Sequence, residues 1–163
     1  MNKPASTPAG NERLEAFLHD AGVRFEAHTH PPAYTAQELA AVEHVPGVTV
    51  AKVVMVMAEG ELAMAVLPAP YRLDTRKTAA ALGVKDVRLA TEDEFAPAFP
   101  GLDVGAMPPF GDFGNVPTYV DDSLAKDEYI VFQAGTHTDA IQMKYADYER
   151  LAQPIVVDIA FRG

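Results

Sequence analysis

Val48-Thr-Val-Ala-Lys-Val-Val-Met-Val-Met57 is followed, across Ala58-Glu59-Gly60, by Glu61-Leu-Ala-Met-Ala-Val-Leu-Pro68. Two strand-length apolar runs joined by a short link that contains glycine read as a β-hairpin. Met55, Met57 and Met64 alternate within it as core positions and need no ligand to explain them. Lys52 does not fit this pattern. Lysine is almost never fully buried without a partner, and an unpaired charge inside protein is expensive. Lys52 therefore either reaches water at a strand edge or faces a site that uses its charge.

Working outward, Asn11 is placed to cap a helix carrying Leu14, Phe17, Leu18 and Ala21 at the helical period, with Gly22 as its stop. Residues 23–30 alternate as a short strand that Pro31-Pro32 ends. Thr35-x-x-Glu38 and Thr91-x-x-Glu94 are capping boxes, and Asp74 caps a helix over Thr75–Leu82 closed by Gly83. Short strands follow in VKDVRLA, TYVDDSL, EYIVFQAG and AIQMKY, then a helix near Ala146–Leu151 and a last strand, PIVVDIAF. Strands occur in runs rather than in strict alternation with helices. This predicts an α/β (α+β) fold: a mixed, mainly antiparallel sheet or partial barrel flanked by helices. Residues 1–10 are expected to be flexible, and 11–163 to form a single domain.

The 163 residues are 48% hydrophobic and 22% charged, as in ordinary globular proteins. There is no cysteine, which excludes disulfides, thiolate metal sites and a cysteine nucleophile. The start lacks the apolar core of a signal peptide, and no apolar run is long enough to span a bilayer. A cytoplasmic protein without a membrane partner is the expectation. A net charge of −10 argues against specific or non-specific duplex DNA binding, which needs a basic surface. Arg72, Arg76, Lys77, Lys85 and Arg88 do fall close together, and read most simply as a solvated face. Dinucleotide and Walker fingerprints are absent.

Phe99 to Pro117 is long for a loop without regular structure, a property of functional or disordered segments, and its apolar anchors oppose disorder. Its centre, Gly105-Ala106-Met107-Pro108-Pro109-Phe110-Gly111, brackets two prolines with glycines. Glycine permits close approach of a ligand to main chain, and proline stiffens it. The same pattern also suits a rigid structural crossover. Gly135-Thr-His137 forms a second candidate wall; His137 either orients substrate or bonds local backbone. Asp121-Asp122 supplies turn and cap acceptors. His28 and His30 share one strand face, with His44 further on, but a third metal ligand at convincing spacing is missing.

Lys52 at the head of a hairpin, the helix after LPAPYRLD, KDVRLAT, GAMPPFG, VDDSL and AGTHTDAIQM occur in this order. The ordered set resembles the YbaK-type aminoacyl-tRNA editing proteins, relatives of the prolyl-tRNA synthetase editing domain, over roughly Asn11 to Pro154. The resemblance implies metal-independent, cofactor-free hydrolysis of the ester joining a wrong amino acid to tRNA, typically alanine or cysteine on proline tRNA. It implies that Lys52 is catalytic and that Gly105, Ala106, Met107, Pro108 and Pro109 bind substrate, with Gly135 and His137 opposite. His30 and Tyr34 would border the terminal nucleotide. The partner implied is the mischarged tRNA acceptor end, with prolyl-tRNA synthetase beside it. Three departures bear on specificity. Val53 stands where alanine-specific members often carry asparagine, Ala106 replaces a second glycine, and Pro108 replaces a frequent serine. Two rival readings are a non-catalytic amino-acid or nucleotide-binding module, and a metal hydrolase built on the histidines.

Overall fold

A computed structural model describes residues 10–161. The expectation of a flexible 1–10 segment lies outside the described residues except at Gly10, which opens the first helix. In chain order the elements are α1 (Gly10–Asp20), β1 (Phe25–Thr29), α2 (Ala36–Glu43), β2 (Ala51–Ala58) and β3 (Glu61–Pro68). Then come β4 (Arg72–Leu73), α3 (Thr75–Leu82), β5 (Val87–Leu89) and α4 (Glu92–Phe95). The chain finishes with β6 (Thr118–Asp121), β7 (Tyr129–Gln133), β8 (Asp139–Lys144), α5 (Tyr145–Ala152), β9 (Ile155–Val157) and β10 (Ala160–Phe161).

The hairpin forms in full register from Ala51↔Pro68 to Ala58↔Glu61. Glu59 at φ 50° and Gly60 at φ 87° make the left-handed pair that matches the twist of its strands. Around it grows a five-stranded mixed sheet, β5-β2-β3-β6-β9, in which β3–β6 and β6–β9 are parallel and the rest antiparallel. A second, antiparallel sheet has the order β1-β8-β7, and β10 pairs with β4. The two larger sheets touch through one bridge, Val50↔Val131, so the barrel stays open. The expected mixed, mainly antiparallel sheet with flanking helices is the observed fold.

Two apolar clusters hold these layers together. The larger joins Leu14 and Leu18 of α1 to Met55, Met64, Phe110, Phe132, Ile141 and Tyr148; the smaller packs Leu39 and Ala40 of α2 on Val50, Val131 and Ala140. Alternation on β8 sends Ile141 to one cluster and Ala140 to the other, so that sheet is buried on both faces there. The expected caps are present: Thr35 with Glu38, and Asp74 accepting from the Arg76 and Lys77 N–H groups before Gly83 closes α3 at φ 71°.

Two expectations are corrected. Asn11 lies inside α1 rather than capping it, because the helix starts at Gly10. PIVVDIAF is not one strand but two, β9 and β10, in different sheets. The cause is Asp121, fully buried at the end of β6, whose Oδ1 accepts from the Ile159 and Ala160 N–H groups. Those two donors are turned onto the carboxylate, and the chain bends from one ladder to the next.

Candidate active site

The register of β2 explains how Lys52 sits in a core strand. Lys52 pairs with Leu67 on one side. On the other side β5 reaches only Val56–Ala58, so the first half of β2 has no outer neighbour strand. Loop and helix fill that space. A cavity of about 50 Å³ opens there, lined by Lys52, Gly105, Met107 and Gln133 and walled by Ala36, Leu39, Val50, Ala51 and Val53. It lies at the seam of the two apolar clusters. Lys52 is half-buried and has no ion pair or hydrogen bond among the described residues. Burial pushes its ammonium below the ordinary lysine range, because the charged form loses hydration without gaining a counter-ion.

Across the cavity the long loop is packed rather than loose. The Phe110 ring meets Phe17, Phe113, Phe132 and Tyr148 edge-on, and Tyr148 Oη donates to the Pro109 carbonyl at 2.8 Å. The loop is also sewn to the turn after β7. The Asp103 N–H donates to the Gly135 carbonyl at 2.9 Å, and the Gly135 N–H to the Ala106 carbonyl at 2.8 Å. Gly105 is thereby held at φ 85°, a conformation that favours glycine. Neither the Gly105 nor the Met107 N–H has a protein acceptor among the described residues. Two fixed main-chain donors and an ammonium thus belong to residues lining one small space.

The structure groups the expected residues unevenly. Gly105 and Met107 line the Lys52 cavity, while Ala106, Pro108 and Pro109 are buried among the residues behind it. His137 stands next to Gly105: a Cβ built on that glycine would lie 3.7 Å from His137 Cε1. The His137 ring packs on exposed Tyr34 with centroids 4.9 Å apart, and its buried Nδ1 has no partner. His30 is buried beside this group, with Nδ1 2.7 Å from the Pro31 carbonyl and Nε2 unpartnered.

Gln133 is the residue the sequence reading passed over. It lines the cavity from the end of β7 and is 7% exposed. The available signal was an amide side chain closing an otherwise apolar strand, Tyr-Ile-Val-Phe-Gln.

The histidine set does not form a cluster. His28 Nδ1 lies 2.6 Å from Glu43 Oε1, His30 faces Pro31, and His44 ends α2 at φ 56°. Among the described residues, the group whose atoms could gather on an ion is Asp121, Asp122 and Asp158, none of which lines the Lys52 cavity. Asp121 also accepts from the Ser123 N–H and hydroxyl, so it supplies the turn and cap acceptors expected of it. Of the basic run, Arg88 pairs with Glu94 and Lys77 with Asp158. A larger cavity, about 700 Å³, runs along β1 and Tyr129. It contains none of the unpartnered buried groups, which mark a functional site better than volume does.

The same fold occurs in solved structures. A hypothetical protein superposes with a TM-score of 0.82 over 91% of this chain and 99% of its own, at 22% identity. A candidate trans-editing enzyme for prolyl tRNA synthetase gives 0.79 over 96% and 100%, also at 22%. The multifunctional Ser/Thr-tRNA deacylase ProXp-y of Escherichia coli K12 is 28% identical over 97% of both chains. Residues 30–151 match the aminoacyl-tRNA editing domain, and the chain belongs to that family. Its class of activity is aminoacyl-tRNA deacylation, and the YbaK-type resemblance read from the sequence holds. Among the described residues, no helix is long and apolar enough to cross a membrane.

Proposed function

We propose that the chain removes a small wrong amino acid from tRNA by metal-independent attack of water on the ester, in the cavity between Lys52 and Gly105. The observation that carries this reading is an ammonium without a counter-ion lining the same space as two unpaired, rigid main-chain N–H groups. The ester carbonyl becomes negative during attack. Donors already fixed around that oxygen need no reorganisation, and water-excluded surroundings strengthen them. Lys52 supplies the charge, for the oxyanion or for the terminal phosphate, while Gly105 and Met107 supply the N–H donors. Exposed Tyr34, backed by His137, offers a face for the terminal base, with His30 behind it.

The lining residues are an ammonium, an amide, apolar side chains and main chain, not the carboxylate and imidazole sets that hold divalent ions. This supports a reaction that positioning drives, with a substrate ribose hydroxyl free to assist. The cavity size favours small side chains. The sequence resemblance points to alanine on proline tRNA, and the ProXp-y relative extends the class to serine and threonine. Prolyl-tRNA synthetase fits as a partner, because a chain of net charge −10 gains by having tRNA delivered to it. The test is a deacylation panel of alanyl-, seryl-, threonyl- and cysteinyl-tRNA run with and without chelator. Turnover that persists in chelator supports the proposal; chelator-sensitive turnover, or inertness toward every ester, overturns it.

A further inference from the structure

We infer that Gln133 selects for a hydroxyl on the amino acid being removed, its amide oxygen accepting the hydrogen bond; this rests on the deacylase reading above. The amide orientation is set by Ala33. Its carbonyl can only accept, so Gln133 Nε2 faces it, at 3.2 Å. The oxygen is left turned away from Ala33, buried and without a partner, on a side chain that is itself 7% exposed and lines the cavity. Buried acceptors are almost always satisfied. An orphan in the wall of a binding space is satisfied by whatever enters it.

Three features say what that is. The space, about 50 Å³, is several times the roughly 10–15 Å³ that one water needs, so it admits a group of only a few atoms. Its other walls are mostly apolar, so the entering group is small and carries a single donor. Lys52 already places an uncompensated positive charge there, and a second cation beside it is disfavoured. The substrate's α-ammonium is therefore the wrong donor, and a neutral hydroxyl is the right one. The side chains of serine and threonine meet all three conditions. Alanine fits by size but leaves the Gln133 oxygen unpaired in a closed space, a penalty worth roughly 5- to 150-fold in discrimination.

One tRNA transcript, charged in turn with serine, threonine or alanine by an acylating ribozyme, provides the assay. The wild type is expected to show kcat/KM at least about 5-fold higher for the seryl and threonyl esters than for the alanyl ester. Gln133→Met and Gln133→Leu keep side-chain bulk and remove the acceptor, and should bring the seryl-to-alanyl ratio close to one. Should one variant fold poorly, the other and the wild-type ratio still decide. A wild type that favours alanine, or a ratio that survives both substitutions, overturns the inference. An equal fall for all three esters also overturns it, since that identifies Gln133 as a ligand of the common ammonium. A wild type inert toward every ester defeats the deacylase reading itself, and this inference with it.

Discussion

Replacing Lys52 with methionine should weaken the enzyme and strengthen the fold. Methionine keeps the length and apolar stem of lysine, so the packing against β2 and the loop is retained. What disappears is an ammonium that burial holds below its ordinary pKa with no counter-ion to offset the lost hydration. Lys52 is only half-buried and water screens part of that penalty. A gain of about 1 kcal/mol is of the size seen when functional liabilities are removed, and for a chain of this length raises Tm by roughly 2–4 °C. On the catalytic side, loss of one donor from an oxyanion site lowers kcat by about 10²–10³. The pH dependence has a definite sign. Because the folded pKa is depressed, the unfolded chain binds more protons in the interval up to the unfolded value. Wild-type stability therefore rises as pH climbs through that interval, and the variant lacks the rise. Calorimetry across alkaline pH and single-turnover deacylation measure both halves. A variant that is less stable than wild type, or within threefold of its activity, would mean that Lys52 is a surface lysine lying along a strand edge.

Three further outcomes follow from local geometry. A Cβ at Gly111 would lie 2.2 Å from the Val116 carbonyl oxygen and 2.5 Å from Thr118 Oγ1, which also accepts the Gly111 N–H; Gly111→Ala should lower unfolding free energy by about 2–4 kcal/mol in urea titrations. Asp121→Asn exchanges an acceptor-only carboxylate for an amide facing four donors, so unfolding free energy should fall by roughly 2–4 kcal/mol, with β9 and β10 exchanging amide protons faster. The Arg88 guanidinium and the Thr91 N–H hold the Glu94 carboxyl at about 2; this clamp contributes above the ordinary carboxylate range and is lost as pH falls toward about 2. Carbon-detected NMR titration should find the Glu94 carboxyl shifted back up in Arg88→Ala, and an unmoved titration would contradict the assignment.

The elements with local chemistry were legible in the sequence. The hairpin declared itself through apolar runs around Glu59-Gly60, α2 through its capping box, and α3 through Asp74 and Gly83. The break between β9 and β10 was not legible, because its cause is a carboxylate about forty residues upstream. The same limit governs the site. Lys52 stood out as a charge among valines, yet the reason it fits, a β5 too short to cover it, depends on long-range pairing. Gly105 and Met107 were within the singled-out loop, but that Pro108 and Pro109 turn inward toward Tyr148 follows from packing. Gln133 was hidden because one amide at a strand end looks like any polar terminus until Ala33 is seen to hold its nitrogen.

The account turns on where the aminoacyl end lies. Titrating the ¹⁵N-labelled protein with the seryl amide of 3′-amino-3′-deoxyadenosine, which cannot be hydrolysed, locates it directly. The expected result is amide shifts centred on Gly105, Met107, Gln133 and His137. Shifts confined to the larger cavity around Phe25, Tyr129 and Lys144 would contradict it.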